Sequence, residues 1–279
     1  MFKLSKIYFD LVTEDGTVVI AYVTDVRALG ARLAPAGVER YSPDGQRFVR
    51  TGRASLSLAS EPDVDSLSCV DFDFGDARYR LEVAPQLGGF APPHSSQLGF
   101  RWSCKLARYS GQLRRLDRAE PVLSGDGYAD FVELTGLPRA LGMRRLQWGR
   151  VHLPEQTLVY TELERASGPA FAGASLWAAR ERQPLGELCI TYDGTGQRTT
   201  LVDPGGRVFL SLTPERVLHS GTATDRRRFP SAVEQLFYRL VGGAMREQRW
   251  VSRATCGAGS GQVGWAVHEL VEFGRGVGR

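Results

Sequence analysis

No apolar run in this 279-residue chain is long enough to cross a membrane. A transmembrane helix needs about 20 consecutive apolar residues, whereas the longest candidate, around Thr17–Val23, has the length of a β-strand. The first residues also lack an apolar core of signal-peptide length. These absences lead us to expect a cytoplasmic protein with no membrane span.

Cysteine and histidine are scarce and scattered. None of the four cysteines forms a C-x-x-C pair, and none of the four histidines lies at metal-ligand spacing from them. A zinc site needs three or four converging nitrogen or sulfur ligands. We therefore expect no metal, and free thiols in a reducing compartment.

An excess of charge of one sign is also missing, since the formal net charge is only +4. Arginine greatly outnumbers lysine, but the basic clusters lie beside acids and turn residues: Arg114-Arg115, Arg144-Arg145 and Arg226–Arg228. Such clusters are typical of solvated surface. We expect no nucleic-acid partner.

The sequence motifs of nucleotide and hydrolase sites are absent or out of context. Gly259–Gly264 matches G-x-G-x-x-G, but the fifteen residues after it alternate like a strand and leave no room for a dinucleotide fold. No phosphate loop or G-x-S-x-G elbow occurs, and His268-Glu269 has no second histidine after it. We expect no cofactor.

Short segments of alternating apolar and polar residues are abundant. Ile7–Val12 and Thr17–Val23 flank an Asp-Gly turn, and Cys69–Phe74 alternates strictly. This period predicts antiparallel sheet with one buried and one solvated face. A capping box at Ser231-x-x-Glu234 starts the one predicted helix, which ends at Gly242-Gly243. The pattern breaks at 137–142, which divides the chain into domains 1–142 and 143–279.

The stretch Gly125–Glu133 offers acid–base chemistry at one place. A glycine-flanked turn is expected to lead into Tyr128 and Asp130, which share one face of a strand because they are two residues apart. Burial among apolar walls would favour the protonated carboxyl of Asp130, a proton donor. Glu133 joins this face only if a bulge intervenes. The alternative is an aspartate that caps a turn beside a core tyrosine.

Large aromatic residues recur in the predicted strands, namely Trp102, Trp148, Tyr160 and Trp177. Such residues are as well suited to packing in a hydrophobic core as to lining a ligand pocket. A small barrel can hold one ligand at its mouth, and aromatic walls fit a flat or polyene-like apolar molecule.

The order of several short motifs resembles one family. Phe100-Arg101-Trp102 is followed by Gly125-x-Gly127-Tyr128-x-Asp130, then by Trp148-Gly149-Arg150 and by Gly264–Glu269. This order is similar to that in the lipocalin-like proteins that include the carotenoid 1,2-hydratases, the AttH-type proteins and fungal Diels–Alderases. The resemblance implies an all-β fold of two lipocalin-like antiparallel β-barrel domains, with one helix in the C-terminal domain. It also implies a ligand pocket between the barrels.

One departure from the hydratase pattern bears on the reaction. The hydratases carry H-x-W before Y-x-D, and the histidine position here is Phe100. A phenylalanine removes a titratable group, which favours a reaction that excludes water. The resemblance thus implies a cofactor-independent cyclase or isomerase of secondary metabolism that acts on an apolar polyene, polyketide or isoprenoid.

The candidate residues take different roles under this hypothesis. Asp130 would be the acid or hydrogen-bond donor, Tyr128 its support, and Arg150 a partner of Asp130 or an anchor for a polar substrate end. Five aromatic residues would line the pocket: Phe100, Trp102, Trp148, Tyr160 and Trp177. The alternatives are a carrier of a small apolar ligand, or a hydratase in which Glu133 or Glu269 replaces the histidine. A monomer or homodimer is expected.

Overall fold

A computed structural model of the chain describes residues 2–58, 60–92, 99–166, 171–178, 180–185, 189–192, 199–202, 208–222, 245–256 and 262–273. Within these ranges no helix is long and apolar enough to span a membrane. The helix predicted from Ser231 to Gly243 lies outside them.

The described residues form eighteen β-strands and a single turn of 3-10 helix at Asp65–Leu67. The first nine strands are β1 (Lys3–Thr13), β2 (Val18–Ala28), β3 (Ala31–Leu33), β4 (Ala36–Tyr41), β5 (Arg47–Ala54), β6 (Cys69–Asp73), β7 (Arg78–Phe90), β8 (Phe100–Arg115) and β9 (Leu123–Leu134). The others are β10 (Met143–His152), β11 (Gln156–Arg165), β12 (Phe171–Ala178), β13 (Glu181–Leu185), β14 (Cys189–Tyr192), β15 (Thr199–Val202), β16 (Val208–Thr222), β17 (Met245–Cys256) and β18 (Val263–Phe273).

The first sheet closes on itself. Its order is β1-β9-β8-β7-β6-β5-β4-β2-β3, and β1 also pairs with β2, so eight strands form a closed barrel with β3 attached to β2. Every pairing in it is antiparallel. The predicted hairpin of β1 and β2 is present, with Lys3 opposite Arg27 and Val12 opposite Val18.

The second sheet is open and curled, in the order β13-β12-β11-β10-β18-β17-β16-β15-β14. Strands β10 and β11 form a hairpin in it, and β10 also pairs with β18. The expected all-β fold with two barrel-like domains is confirmed. Strands β1–β9 and β10–β18 belong to two separate compact units, and the chain passes between them from Leu141 to Gly142. The domain bounds 1–142 and 143–279 remain a prediction.

A cluster of apolar side chains fills the interior of the closed barrel. Strand β1 contributes Ile7, Phe9 and Leu11 to it, and β9 contributes Ala129 and Phe131. The alternate residues of both strands point outward, yet they too are buried. The expectation of one solvated face is therefore wrong for the middle of these strands, where Tyr8, Asp10, Tyr128 and Asp130 on the outer face are all buried.

Two long strands carry irregularities. Strand β7 contains Pro85, and the register shifts beside Pro85 and Leu87 let the ladder tolerate a proline. Strand β8 continues through its charged second half to Arg115.

Candidate functional site

Tyr128 and Asp130 lie in the middle of β9 and point to the outside of the closed barrel. Strand β9 pairs with β1 without a register shift, so Asp130 stands opposite Tyr8 and Tyr128 opposite Asp10. Their neighbours Ala129 and Phe131 point into the barrel core. The expected turn is thus wrong, because Gly125 and Gly127 are strand residues, and Asp130 is not at a turn.

The carboxylate of Asp130 accepts two hydrogen bonds on the same oxygen. The indole Nε1 of Trp102 donates to Oδ2 at 3.2 Å, and the hydroxyl of Tyr128 donates to it at 3.1 Å. All three side chains are buried, with Trp102 and Tyr128 at 0% exposure and Asp130 at 2%. We call the surface formed by Tyr8, Trp102, Tyr128 and Asp130 the Asp130 face.

These bonds determine where a proton can reside. An indole N–H can only donate, so Oδ2 must remain an acceptor while Trp102 is bonded to it. A proton carried by Asp130 is therefore on Oδ1. Burial, followed by the negative charge of Asp130, raises the pKa of Tyr128 well above its ordinary value of 10. Tyr128 is consequently a neutral donor at physiological pH.

Two glycines bring β9 close to its neighbours. A Cβ on Gly125 would collide with the carbonyl oxygen of Val12, and one on Gly127 with that of Asp10. The ring of Tyr109 packs over Gly127 from the barrel interior, 2.5 Å from the same Cβ position, and its hydroxyl donates to the Asp10 carbonyl at 2.6 Å. Gly125 therefore lets β9 approach β1, and Gly127 also makes room for the Tyr109 ring, which braces the strand that carries Asp130.

Sequence reasoning missed Tyr8 of the Asp130 face and the lysine beside it. The rings of Tyr8 and Tyr128 lie 6.5 Å apart, and the ammonium group of Lys6 lies 5.6 Å from the Tyr8 ring. The same ammonium lies 5.8 Å from the ring of Tyr22 on β2. The sequence of β1 does indicate a second face, because Lys6, Tyr8 and Asp10 alternate with apolar residues. This alternation does not reveal that the face they form is buried.

The thiol of Cys104 is another neighbour of Asp130. It stands opposite Asp130 in the ladder between β8 and β9 and is buried. Burial raises its pKa well above 9, and the charge of Asp130 raises it further. A thiol in this state is not a nucleophile, since only the thiolate attacks readily.

Phe100 and Trp102 lie close together on the outside of the barrel. Both lie at the start of β8, two residues apart and buried, so they share the outward face. Phe90 of β7 adds a third ring, which meets Trp102 edge to face with centroids 5.6 Å apart. The surroundings of the carboxylate on this side are therefore aromatic.

The remaining candidates lie in the second unit, on opposite faces of its sheet. The register puts Trp148, Arg150 and Trp177 on one face, where Arg150 is buried with Nη1 3.2 Å from Nδ1 of His152. Tyr160 is on the other face and belongs to the apolar core of that unit, with its ring packed on Gly149. The structure therefore does not group Tyr160 with the two tryptophans.

The two glutamates considered as substitutes for the missing histidine are engaged in ion pairs. Glu133 points away from the Asp130 face, because β9 has no bulge against β1, and pairs with Lys3 at 2.6 Å. Glu269 is buried and accepts from Nε of Arg249 at 2.6 Å. Both carboxylates are therefore already engaged with basic side chains.

The arrangement suits chemistry that needs one oriented carboxyl in an apolar setting. Asp130 can accept or deliver a proton through Oδ1 while Trp102 and Tyr128 hold Oδ2. Within the described ranges, no three His, Cys, Asp or Glu side chains converge to hold a metal ion.

Comparison with known proteins gives a fold and no closer relationship. No family model and no curated sequence matches the chain. Among solved structures, CghA in complex with Sch210972 superposes with a TM-score of 0.63 at 13% identity, over 98% of this chain and 89% of that one. CghA alone gives a TM-score of 0.64, also at 13% identity, over 98% and 88% of the two chains.

Two further structures have the same fold. A putative AttH protein from Nitrosomonas europaea has a TM-score of 0.55 and 14% identity, with 98% and 93% of the two chains covered. Kievitone hydratase from Nectria haematococca has a TM-score of 0.57 and 11% identity, with 96% and 88% covered. The chain thus has the lipocalin-like fold that its motifs suggested. At this identity the likeness concerns the fold alone.

Proposed function

We propose that this protein is a cofactor-independent cyclase or isomerase of secondary metabolism. Its substrate would be an apolar polyene, polyketide or isoprenoid that lies against the Asp130 face. The observation that carries the proposal is the buried carboxylate of Asp130, oriented by Trp102 and Tyr128 among aromatic side chains.

The chemistry of the face favours rearrangement over addition of water. Cyclisation requires that a folded substrate be held in reactive geometry with one or two hydrogen bonds to developing charge. Asp130 supplies such a group, and Phe100 stands where the hydratase pattern has histidine. CghA, solved with Sch210972, and kievitone hydratase share the fold, which is compatible with either outcome.

Labelled water separates the possible functions. The purified protein is incubated with linear polyene and polyketide substrates in oxygen-18 water, and the products are analysed by chiral chromatography and mass spectrometry. We expect a single stereoisomer with the mass of the substrate and no label. A labelled, heavier product would establish a hydratase instead, and binding without conversion would establish a carrier.

A further inference from the structure

A cavity of about 220 Å³ opens at one end of the closed barrel. It lies where β8 ends and β9 begins, and its apolar wall includes Val38, Leu113 and Leu123. Val38 and Leu113 belong to the barrel core, so the cavity reaches into the interior from this end. About seven strand residues separate Leu123 from Asp130, which corresponds to roughly 23 Å. The cavity is therefore distinct from the Asp130 face.

Two aromatic rings and two guanidinium groups, those of Arg40 and Arg115, line this opening, and a third guanidinium stacks on one of the rings. The rings of Phe48 and Tyr79 contact each other with centroids 6.1 Å apart. The guanidinium of Arg50 lies 5.0 Å from the centre of the Phe48 ring and that of Arg40 lies 5.8 Å from it. Arg115 lies 5.8 Å from the Tyr79 ring. Stacking on rings fixes the directions in which these cations point.

The positive charges are not balanced equally. Arg50 pairs with Asp76 at 3.2 Å, and Arg115 pairs with Asp117 and Glu120. Arg40 forms no salt bridge with a carboxylate within the described ranges. Its guanidinium instead lies over the Phe48 ring. The wall of the cavity thus carries one arginine, Arg40, that forms no salt bridge within that part of the chain.

A hydroxyl is also available at the cavity. The side chain of Tyr79 lines the cavity, and its hydroxyl makes no hydrogen bond inside the part of the chain that the structure covers. Burial, followed by the charge of Glu120, raises the pKa of Tyr79 above its ordinary value of 10, so the phenol remains a donor. An arginine and a hydroxyl donor together match the two oxygens of a carboxylate.

Size and charge limit the ligand further. A cavity of about 150 Å³ accommodates benzene, so about 220 Å³ accommodates one ring with a short side chain. The carboxylate of Glu120 in the same wall disfavours a doubly charged anion such as phosphate. We propose that this cavity binds a small aromatic monocarboxylate, with its ring against Phe48 and Tyr79 and its carboxylate on Arg40.

Calorimetric titration with 3-phenylpropanoate tests this site, with the uncharged 3-phenylpropanamide as the matched ligand. We expect the acid to bind about tenfold more tightly than the amide, because a hydrogen bond to a charged group stabilises a complex more than a neutral one. Arg40→Gln should reduce the affinity for the acid to that for the amide. Arg53→Gln, at an exposed arginine on the same β5 strand that carries Phe48, should leave it unchanged.

A second variant tests the cavity itself. Leu123→Phe adds volume at the wall and should abolish binding of both ligands, with folding checked by circular dichroism. Asp130→Asn should bind the acid with the affinity of the wild type. The binding proposal and the proposed reaction can therefore be refuted independently of each other. Equal affinity for acid and amide, no change in Arg40→Gln, or no binding of either ligand at millimolar concentration would overturn the proposal.

Discussion

The indole nitrogen of Trp102 and the carboxylate of Asp130 are joined by a hydrogen bond of 3.2 Å across two strands, 28 residues apart in the chain. Both groups are buried on the outer face of a closed barrel whose interior is filled by other side chains. A buried carboxylate with its own donors is costly to build for stability alone, because burial penalises its charge. This pair is the basis of the first two predictions.

Replacing Asp130 by asparagine tests its role in the reaction. The amide retains an oxygen that can accept from Trp102, so the fold should persist, but the group can no longer exchange a proton. We expect Asp130→Asn to lower turnover by about 10²–10⁴-fold with little change in melting temperature. The control is Asp126→Asn on the same strand, where the carboxylate pairs with Arg108 and turnover should be unchanged. An unaltered rate in Asp130→Asn would sink the assignment.

Tyr128 and Tyr109 allow the effects on activity and on stability to be separated. Tyr128→Phe removes a donor to the carboxylate of Asp130, and Tyr109→Phe removes a donor to the backbone carbonyl of Asp10. We expect each variant to lose about 1–3 kcal/mol in the free energy of unfolding, measured by urea denaturation. Turnover should fall in Tyr128→Phe only. Equal turnover in the two variants would show that the Tyr128 hydroxyl is structural.

The close approach of β9 to β1 predicts a large effect of a single methyl group. In Gly127→Ala the added Cβ collides with the Asp10 carbonyl oxygen and the Tyr109 ring. The Asp10 carbonyl belongs to the backbone of a paired strand, so it cannot move aside as the end of a flexible side chain can. We expect a loss of about 3 kcal/mol or more in the free energy of unfolding. Gly88→Ala on β7 is the control, because no atom lies within 4 Å of its Cβ position. Similar stability in the two variants would contradict this account.

His268 predicts how stability depends on pH. Burial lowers its pKa to about 3, whereas an unfolded histidine titrates near 6.5. Between these two pH values the folded state therefore binds fewer protons than the unfolded state. The contribution of His268 to the free energy of unfolding is complete above about pH 6.5 and is lost as the pH falls towards 3. At about 1.4 kcal/mol per pH unit, the total is about 5 kcal/mol at most.

Urea denaturation at pH 7 and pH 4.5 measures this contribution. Carboxylates also titrate in this range, so the informative quantity is the difference in slope between the wild type and His268→Phe. The phenylalanine keeps a ring against Trp250, with which His268 is stacked at 5.1 Å. We expect the variant to lose less stability on acidification. An identical loss in both proteins would show that His268 does not titrate as a buried group.

Part of the candidate site could be predicted because it depends on local geometry. Residues two apart in a strand share a face, so Tyr128 and Asp130 were paired correctly from spacing. The same two-residue spacing predicts that Phe100 and Trp102 lie on one face of their strand. The β1–β2 and β10–β11 hairpins were predictable as well, because each needs only two short apolar runs and a turn.

Contacts between distant strands could not be predicted in this way. The role of Gly127 depends on the Tyr109 ring and the Asp10 carbonyl, which reach it from β8 and β1. The grouping of Tyr160 with Trp148 was unsuccessful because alternation does not reveal which face of a strand turns inward.

The sequence by itself determined that this chain is built of antiparallel strands and that Tyr128 and Asp130 point the same way, because both follow from the period of two in a strand. Only the tertiary structure decided that they point out of the barrel, that this outer face is buried, and that Trp102 completes the pair. The physical reason is barrel closure. The pairing of strands that are far apart in the sequence decides which alternate side chains of each strand form the core and which surround the polar group on the outside.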